Sequence, residues 1–388
     1  MKALAPVDQA THRYQEWLEE FIPVLKGDLE HKYRKMRSDP TGFVFFRGTF
    51  YRWVKLWENK RKELRERGVL IGGAPELFCV GDLHIENFGT WRDSEGRLVW
   101  GINDFDEAFS MRYISDLVRL ATSALLALEG KTLPWKLSSE RICAAILDGY
   151  GTGLESEGRP IVLERHISWL WKIAIHPSRA PEQFWLDLEA KLKPEKNGLP
   201  EKVLREAANA LGEFAPRGSK GSPLFRRRAG VGSLGRPRFV QFFTGKDGQV
   251  VRETKAIAPS ACVFAGMGKP VKNPYRKVLE NAVRSADPIF GVVDGWVVRR
   301  LAYDSMKIAV ESLNTITDAV SIFQAMGAEV ANIHLGDSEA ADARRHLRAQ
   351  NQKRADWLLR SAEEMVVATK RDFQDYLNSE FGKSEEER

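Results

Sequence analysis

Acid, imidazole and amide side chains are crowded into the stretch "FCVGDLHIENFGTW", which begins at Phe78. Asp82, His84, Glu86 and Asn87 follow an apolar run that has the character of a buried strand. Four polar groups would be costly inside a core, because each needs a hydrogen-bond partner once it is buried. Loops that leave the end of a strand are, in contrast, common places for reactive side chains. The stretch therefore predicts a functional loop.

A second acidic cluster follows in "GINDFDEA", which contains Asp104, Asp106 and Glu107. The "DSEG" turn signal between two β-type runs predicts an antiparallel hairpin, which would bring its two polar ends to one edge of the structure. Asp82 could accept a proton there, while Asn87 and Asp104 would offer oxygen atoms. Such an oxygen-rich edge suits magnesium, which takes one or two carboxylates and fills its octahedron with water and phosphate oxygens.

The first loop has two other possible interpretations, a structural turn and a zinc site. Asp82 and Asn87 alone would usually be a turn residue and a cap, but the acid at the end of the paired strand favours the functional interpretation. His84 and Glu86 form an H-x-E pair, as in zinc deaminases, yet that site also requires a downstream P-C-x-x-C, which the sequence lacks. We therefore expect His84 to brace the loop through hydrogen bonds.

The succession "GDLHIEN", "NDFDEA" and "SDLVRLA" (residues 81–121) resembles the catalytic and metal-binding stretch of aminoglycoside and choline phosphotransferases. These enzymes belong to the protein-kinase-like superfamily. The resemblance implies that Asp82 is the catalytic base for an acceptor hydroxyl, and that Asn87 and Asp104 bind magnesium. It also implies that Asp116 is a structural acid, which could cap the helix that it opens. The hairpin between Asn87 and Asp104 is somewhat longer than the family pattern.

A glycine-rich loop for nucleotide phosphates lies downstream of these motifs and not upstream, where the superfamily would have it. A dinucleotide-binding turn with the same G-x-G-x-x-G pattern would need a strand before it and a helix after it. Here "SPLFRRRA" precedes "GVGSLG", and the hairpin "RFVQFFTGKDGQVVRETKAIA" follows it. Strand, glycine loop and strand is the kinase arrangement. The residues predicted to cover the phosphates are Gly230, Gly232, Ser233 and Gly235.

The strand after this loop carries a candidate lysine. Alternation in "VVRETKA" places Val251, Glu253 and Lys255 on one face. Lys255 matches the kinase lysine that pairs with the α- and β-phosphates, whereas a solvated lysine at a sheet edge is the alternative. Glu280, in the following helix, is the acid expected to hold Lys255 in place, although it could equally face solvent.

The motif order is therefore rotated relative to an ordinary kinase. "WVVRRLAYD" resembles the strand that leads to an adenine-binding hinge near residues 301–303, and "FQAMGAEVANIHL" resembles the helix before the catalytic loop. With "FFRGTF" near its start, the whole chain resembles the bacterial family called domain of unknown function 2252. Arg47 of "FFRGTF" would either contact phosphate or acceptor or form a structural salt bridge.

A circular permutation makes a geometric prediction. The ammonium group of Lys255 should face the carboxylate of Asp104 across a gap of roughly 4 to 10 Å, which a nucleotide's phosphates could fill. The helix that contains His334 should pack beside the strand that holds Cys79, although these residues lie at opposite ends of the sequence.

The elements that must position these residues form an α+β chain of 388 residues, which is long enough for two lobes. The resemblance implies a permuted protein-kinase-like fold, with an antiparallel β lobe for the nucleotide and a larger helical lobe. "FVFFRG" is expected to be extended. The predicted units are a helical segment (1–75), the catalytic hairpin with helices (76–213), the β lobe (214–303) and terminal helices that complete the helical lobe (304–388).

The composition is that of an ordinary soluble protein, with 43% hydrophobic and 29% charged residues. There is no apolar run of bilayer length and no signal-type amino terminus, which predicts a cytoplasmic protein without a membrane partner. The cysteines have no C-x-x-C spacing, so neither a disulfide framework nor a zinc knuckle is indicated. The net charge of +6 would attract nucleotides, nucleic acid or phosphorylated metabolites without choosing among them.

The sequence thus predicts an enzyme: an ATP- and magnesium-dependent phosphotransferase. Its hydroxyl acceptor is unknown and could be a small molecule, a sugar, a lipid or a protein. A nucleotide-binding pseudokinase and an enzyme that transfers AMP are alternatives with the same fold. A nucleic-acid-binding protein is an alternative outside that class, and the lack of an interleaved aromatic and basic patch disfavours it.

Overall fold

The computed structural model describes residues 4–175, 181–194, 199–305, 307, 310–381 and 383. These residues form a mixed structure of helices and antiparallel sheets, which confirms the predicted α+β class. Among the described helices, none combines the length and the apolar character needed to span a membrane.

The first part of the chain is helical and leads into four short strands. Its helices are α1 (Val7–Glu19), α2 (Lys26–Arg37), α3 (Phe43–Gly48) and α4 (Phe50–Glu66). The strands are β1 (Glu76–Cys79), β2 (Phe88–Arg92), β3 (Leu98–Ile102) and β4 (Phe109–Arg112). Strands β2 and β3 pair in antiparallel register, which confirms the predicted hairpin, while β1 pairs with β4.

Helix α3 corrects the expectation that "FVFFRG" would be extended. A turn before it supplies acceptors for the first free N–H groups of the helix: Asp39 Oδ2 accepts from Val44 N at 2.7 Å, and Thr41 Oγ1 accepts from Phe43 N at 3.2 Å. Such caps satisfy donors that a helix leaves unpaired. The aromatic residues of the helix are buried, so its short apolar run carries no alternation that would separate helix from strand.

The remaining elements are helices, the short strand β5 (Ile161–Val162), which pairs with β3, and the strands of one larger sheet. In chain order they are α5 (Ile114–Leu128), α6 (Ser139–Glu155), β5 (Ile161–Val162), α7 (Leu163–His166), α8 (Ser168–Ala174), α9 (Pro181–Lys191), β6 (Lys193–Pro194), α10 (Glu201–Glu213), β7 (Lys220–Gly221), β8 (Phe225–Arg226), β9 (Arg238–Gly245), β10 (Gly248–Ala256), α11 (Ala261–Phe264), α12 (Pro274–Asn281), β11 (Gly291–Val293), β12 (Trp296–Leu301), α13 (Ile316–His334), α14 (Ala340–Lys353) and α15 (Trp357–Leu377).

The larger sheet has the strand order β11-β12-β10-β9-β8-β6, and β7 pairs with β9. On β10, Lys255 lies opposite Arg238 of β9, and Glu253 lies opposite Arg299 of β12. This register puts Glu253 and Lys255 on one face of the sheet, as the alternation predicted. The other face packs on α10. The predicted unit 76–213 had grouped this helix with the helices that precede it.

The helical part holds its two central helices, α6 and α13, in close backbone contact. A Cβ on Gly149 would lie 1.9 Å from Gln324 O, and a Cβ on Gly327 would lie 2.1 Å from Ile146 O. Only glycine permits such an approach. The contact fixes the end of α13 beside β1, and so beside the loop that carries the predicted catalytic acid.

Candidate active site

Asp116, in the first turn of α5, fixes the backbone that leads into the acid loop. Its carboxylate accepts hydrogen bonds from Val80 N at 2.7 Å and Gly81 N at 3.0 Å. His334 Nε2 lies 3.2 Å from Asp116 Oδ2, and the hydroxyl of Tyr150 lies 2.8 Å from His334 Nδ1. We expected Asp116 to cap its own helix. Instead it holds the backbone just after strand β1, because the N–H groups of Val80 and Gly81 lie within reach of its carboxylate.

The same group confirms the predicted contact between the two ends of the sequence. Ligand atoms of Cys79, Asp116 and His334 lie within 4.8 Å of one another, and all three residues are buried. Asp116 is already occupied by backbone donors, and burial raises the pKa of the Cys79 thiol well above its usual value. A metal would need the thiolate. We therefore interpret this group as a hydrogen-bonded anchor.

A glycine turn carries the chain from this anchor to Asp82. Gly81 has a φ of +82°, and a Cβ there would lie 2.2 Å from Glu107 O. Only glycine can take this conformation so close to another backbone. The turn thereby brings the acid loop against the segment 104–107, as the hairpin prediction required.

Asp82 is held by an arginine that lies wholly inside the protein. Arg119 Nε donates to Asp82 Oδ1 at 2.9 Å, Nη2 contacts the same oxygen, and the Arg119 side chain has no exposed surface. The guanidinium also lies over the ring of Phe46, at 3.9 Å from its centroid. Burial raises the pKa of Asp82, and Arg119 opposes that effect. The second oxygen, Oδ2, points toward Gly232, where a Cβ would approach it to 3.3 Å.

The rest of the acid loop is braced by its own polar groups. Asn87 Oδ1 accepts from His84 N at 2.7 Å, and His84 Nδ1 accepts from Glu86 N at 3.2 Å. Burial and the nearby Arg47 keep the pKa of His84 well below its usual value, so the ring is neutral. Arg47 Nη1 lies 2.8 Å from Glu86 Oε2. His84 therefore braces the loop as predicted, and Arg47 forms a salt bridge while also lining the site.

Lys255 reaches the second acidic cluster from the sheet. Its Nζ lies 2.5 Å from Asp106 Oδ2 and 3.4 Å from Asp104 Oδ1. The hydroxyl of Tyr275 donates to Asp104 Oδ1 at 2.9 Å and contacts Asp106 Oδ1 at 2.5 Å. Although burial acts to raise it, the pKa of Asp104 lies below its usual value because of Lys255 and Arg299.

The predicted gap between Lys255 and Asp104 was too wide. The two groups are in direct contact at 3.4 Å, below the expected range. Opposite charges attract strongly where little water screens them, which favours the direct contact of the lysine with these carboxylates.

The predicted partner of Lys255 was also wrong. Glu280 is exposed and pairs with Arg276 at 2.6 Å, one turn back along α12. The helix does contribute to the site, but through Tyr275, which lies with Val278 on its buried face. Spacing of three residues places those two side chains together and turns Glu280 outward.

The glycine loop lies over Asp82. Gly230 and Gly235 have φ values of +73° and +100°, and Ser233 Oγ accepts from Arg238 Nη2 at 2.7 Å. A Cβ on Gly232 would lie 3.2 Å from Arg47 O, so the loop packs closely on α3 as well as on the acid loop. The loop joins β8 to the antiparallel strand β9. The antiparallel connection disfavours a dinucleotide-binding turn.

Several residues of the site were not predicted as part of it. Arg236, directly after the glycine loop, donates to Glu107 Oε1 at 2.9 Å and lies 3.5 Å from Asp106 Oδ2. Glu107 also accepts from Ala261 N at 2.6 Å. These contacts join the acidic cluster to the segment before β9, which holds Arg236, and to the segment after β10, which holds Ala261. A positive residue beside "GVGSLG" and three acids in "NDFDEA" were the available signals. Asp106 and Glu107 were placed at the predicted edge without an assigned role, and the members that were not predicted at all are Arg119, Arg236 and Tyr275.

A second charged cluster covers the sheet face next to Lys255. Glu253 is buried and pairs with three guanidinium groups, from Arg227, Arg238 at 3.3 Å and Arg299 at 2.6 Å. These partners hold the pKa of Glu253 well below its usual value, against the effect of burial. Three positive groups thus share one carboxylate, which leaves the face positive.

Two adjoining cavities lie between the sheet and the helical part. The inner cavity has a volume of about 40 Å³ and is lined by the acid loop, the acidic cluster and the glycine loop, including Asp82, Asn87 and Asp104. The outer cavity has a volume of about 260 Å³. Asp104, Gly230 and Lys307 line both. The predicted residues 82, 87, 104, 230, 232 and 233 therefore share one cleft, and Lys255 contacts two acids that line it, Asp104 and Asp106.

Comparison with known proteins gives one match. The model of a family described as "Uncharacterized protein conserved in bacteria (DUF2252)" matches residues 25–168 and 222–379, which is well over half of the chain. The two matched segments contain the acid loop and the glycine loop respectively. No curated protein and no solved structure matches the chain.

Proposed function

Because the chain belongs to the bacterial family DUF2252, whose description names no reaction, the site itself must indicate the chemistry. We propose that the protein is a kinase-like phosphotransferase that uses ATP and magnesium. The observation that carries this proposal is the meeting of Lys255 and the glycine loop with Asp104 and Asp82, from segments far apart in the chain.

The arrangement of the sheet supports this proposal. The glycine loop joins two antiparallel strands, β8 and β9, and Lys255 lies on the next strand, β10. Protein kinases place their glycine loop over the phosphates and their lysine on the third strand in the same way. The permuted kinase-like fold is therefore part of the proposal, with the sheet as the nucleotide lobe.

The oxygen atoms in the inner cavity fit magnesium. Asp104 Oδ2 and Asp82 Oδ2 have no hydrogen-bond partner among the described residues, and Asn87 Oδ1 accepts a single bond, from His84 N. A hard cation prefers carboxylate, amide and water oxygens, and this cavity has room for water as well. Asn87 and Asp104 would hold magnesium, which supplies charge neutralisation to the transferring phosphate.

Asp82 is then the proton acceptor. The oxygen of the acceptor hydroxyl attacks the terminal phosphorus, its proton passes to Asp82, and the bridging oxygen leaves with the ADP. Arg119 holds Oδ1 and so leaves Oδ2 to face the glycine loop. The glycine loop and Lys255 would position the phosphates, so that catalysis rests on orientation and charge stabilisation.

Lys255 must exchange partners during this cycle. Its contacts with Asp104 and Asp106 occupy the place where phosphate oxygens would lie. A bound phosphate would take over the lysine, and Tyr275 would remain on both carboxylates. The same geometry serves a pseudokinase or an enzyme that transfers AMP, and these alternatives differ from the proposal in their products.

The test is ATP turnover with magnesium against a panel of hydroxyl-bearing metabolites, lipids and proteins, with separate detection of ADP and AMP. ADP formation that depends on an acceptor supports the proposal. AMP transfer would assign the other reaction, and ATP binding without any product would assign a pseudokinase. Absence of ATP binding, combined with salt-sensitive binding to DNA or RNA, would favour the nucleic-acid alternative.

A further inference from the structure

The outer cavity has an unusual lining for a site next to a nucleotide-binding loop. Six cationic side chains line it, namely Arg227, Arg238, Arg284, Arg299, Arg300 and Lys307. The carboxylates that line it are Asp104 and Asp287. Glu253, beneath the wall, is a third carboxylate and is shared by three of the arginines. Six cations against three carboxylates leave a strong positive excess in an enclosed space.

Protein contacts leave two of these guanidinium groups incompletely hydrogen-bonded. Among the described residues, the Nε atoms of Arg284 and Arg300 and the hydroxyl of Ser305 have no hydrogen-bond partner. The nearest carboxylate to Arg300 is Asp287, at 3.4 Å. Unpaired buried donors are costly, and a ligand that repositions these side chains could recover that cost. The cavity therefore favours an occupant that accepts many hydrogen bonds.

The cavity offers little to a purine base. Bases favour apolar walls and free aromatic faces, and the large apolar side chains here are Trp91, Phe290 and Leu301. The face of Trp91 is covered by Arg284, whose guanidinium lies 4.7 Å from a ring centroid. Phosphate groups, in contrast, match the planar fork of arginine and carry the opposite charge.

The position of the cavity also suits a chain of phosphates. It adjoins the inner cavity at Asp104, Gly230 and Lys307, which line both. Its volume of about 260 Å³ lies below the roughly 300 to 1,000 Å³ typical of pockets for drug-sized ligands. A linear polyphosphate is narrow enough to follow such a passage, and its negative charges would be distributed along the arginine wall.

We propose that the arginine-lined outer cavity is a polyphosphate-binding site, which holds linked phosphates and not the base of a nucleotide. This inference deepens the proposed function and rests on it for the identity of the donor. The phosphates could belong to a nucleoside triphosphate or to inorganic polyphosphate, since both present the same chemistry to the arginines.

The test uses sodium tripolyphosphate and the full chain, with calorimetry in the presence of EDTA. We expect Arg300→Gln and Lys307→Gln each to weaken binding about tenfold, because each removes a charged donor. Lys307 is half-exposed, and among the described residues its carboxylate contact is with Glu86 at 3.9 Å, so its variant keeps the fold even if Arg300→Gln does not. Arg276→Gln, on an exposed arginine outside both cavities, is the matched control and should bind like the parent.

Two outcomes of this comparison of variants would overturn the proposal. One is unchanged tripolyphosphate affinity in the Lys307 and Arg300 variants. The other is an equal loss in Arg276→Gln, which would mean that the binding is a general attraction to a basic chain. Displacement by ATP but not AMP would identify the triphosphate of a nucleotide as the occupant, and displacement by neither would identify inorganic polyphosphate. Displacement by AMP as effective as that by ATP would place the nucleoside in the cavity and end the proposal.

Asp104→Ala separates this inference from the proposed function. Without magnesium, the variant should bind tripolyphosphate at least as tightly as the parent, because a carboxylate has been removed from the cavity wall. If neither the parent nor the variant shows magnesium-dependent ATP turnover while both bind tripolyphosphate, the proposed function fails and the polyphosphate site stands. Turnover that the variant keeps would remove only Asp104 from the metal site. If the variant loses tripolyphosphate binding in EDTA while remaining folded, the polyphosphate site fails.

Discussion

Lys255 Nζ lies 3.4 Å from Asp104 Oδ1, although 151 residues separate the two in the sequence. The contact joins the strand after the glycine loop to the end of the hairpin that carries the acid loop. Lys255 and Asp106 are both largely buried, while Asp104 remains 38% exposed toward the cleft. Lys255 thus has one buried carboxylate partner, while the other carboxylate stays accessible from the cleft, which fits the proposed nucleotide–metal site.

Asp104→Ala should abolish the magnesium-dependent part of ATP binding and turnover. The free carboxylate oxygen supplies charge neutralisation that water cannot replace. Calorimetry with ATP, with and without magnesium, measures the effect. Asp148→Ala, which removes an exposed hydrogen bond with Gln324, is the control and should behave like the parent. A folded Asp104→Ala protein with unchanged affinity and turnover would sink the metal assignment.

Asp82→Asn should lower turnover by roughly two or more orders of magnitude and nearly keep nucleotide affinity. The amide preserves size and most hydrogen bonds but cannot accept the proton. Because the variant also leaves Arg119 without its counter-charge, thermal unfolding must be measured alongside activity. Turnover equal to that of the parent would mean that Asp82 is only a turn residue.

Arg119 is a positioning residue, and its loss should change the pH dependence of the reaction. Burial raises the pKa of Asp82, and Arg119 lowers it. Without the arginine that pKa rises further, so more of the base is protonated at neutral pH. Arg119→Met should shift the acidic limb of the pH–rate profile to higher pH and reduce turnover at pH 7 about tenfold or more.

Arg119→Lys tests the same residue with its charge retained. It keeps the attraction to Asp82 but loses the fork and the stacking on Phe46. Its acidic limb should therefore lie between those of the parent and of the Met variant. Identical pH profiles for all three proteins would show that Arg119 supports only the fold.

Much of the site was readable from local patterns. The spacing of Asp82, Asn87 and Asp104 around a turn signal predicted one edge, and the alternation around Lys255 predicted its face. Both predictions depend on local backbone geometry, which a short stretch of sequence determines. The α+β class followed from where strands and helices begin and end.

The rest depends on contacts between distant segments. Nothing near Arg119 shows that a buried helix position will carry the charge opposite Asp82. The choice of Asp106 over Glu280 for Lys255 is decided by how α12 rotates against the sheet, and only the burial of Tyr275 and Val278 fixes that rotation. The helix at "FVFFRG" was missed because the caps on its first turn come from Asp39 and Thr41, outside the apolar run.

Glu329 should make the stability of the protein fall as pH rises from 4.5 to 7. Burial raises the pKa of this glutamate to about 7, against an ordinary value of 4.5. The folded state then binds its proton more tightly than the unfolded state does. That stabilisation is complete below about pH 4.5 and is lost as pH rises through about 7, with a magnitude of about 3 kcal/mol.

Glu329→Gln measures this contribution directly. The amide keeps the shape but cannot titrate, so the difference in unfolding free energy between variant and parent should shift in favour of the variant between pH 4.5 and 8. Urea unfolding at several pH values measures it. Glu206→Gln is the control. Glu206 forms an exposed ion pair with Lys202 at 3.9 Å within one helix, so this variant should show no such trend. A constant difference across the pH range would exclude Glu329 as the titrating group.

Asp106→Ala should destabilise the protein by about 3 to 5 kcal/mol, because Lys255, Arg236 and Tyr275 would all lose a buried acceptor. Glu280→Ala should cost no more than about 0.5 kcal/mol, since its pair with Arg276 is exposed. Urea unfolding of both variants at one pH gives the comparison. The paired measurement decides which acid holds the lysine: equal small losses would show that Asp106 is dispensable, and a large loss in Glu280→Ala would restore the original assignment. A large loss confined to Asp106→Ala would establish Asp106 as the anchor of Lys255.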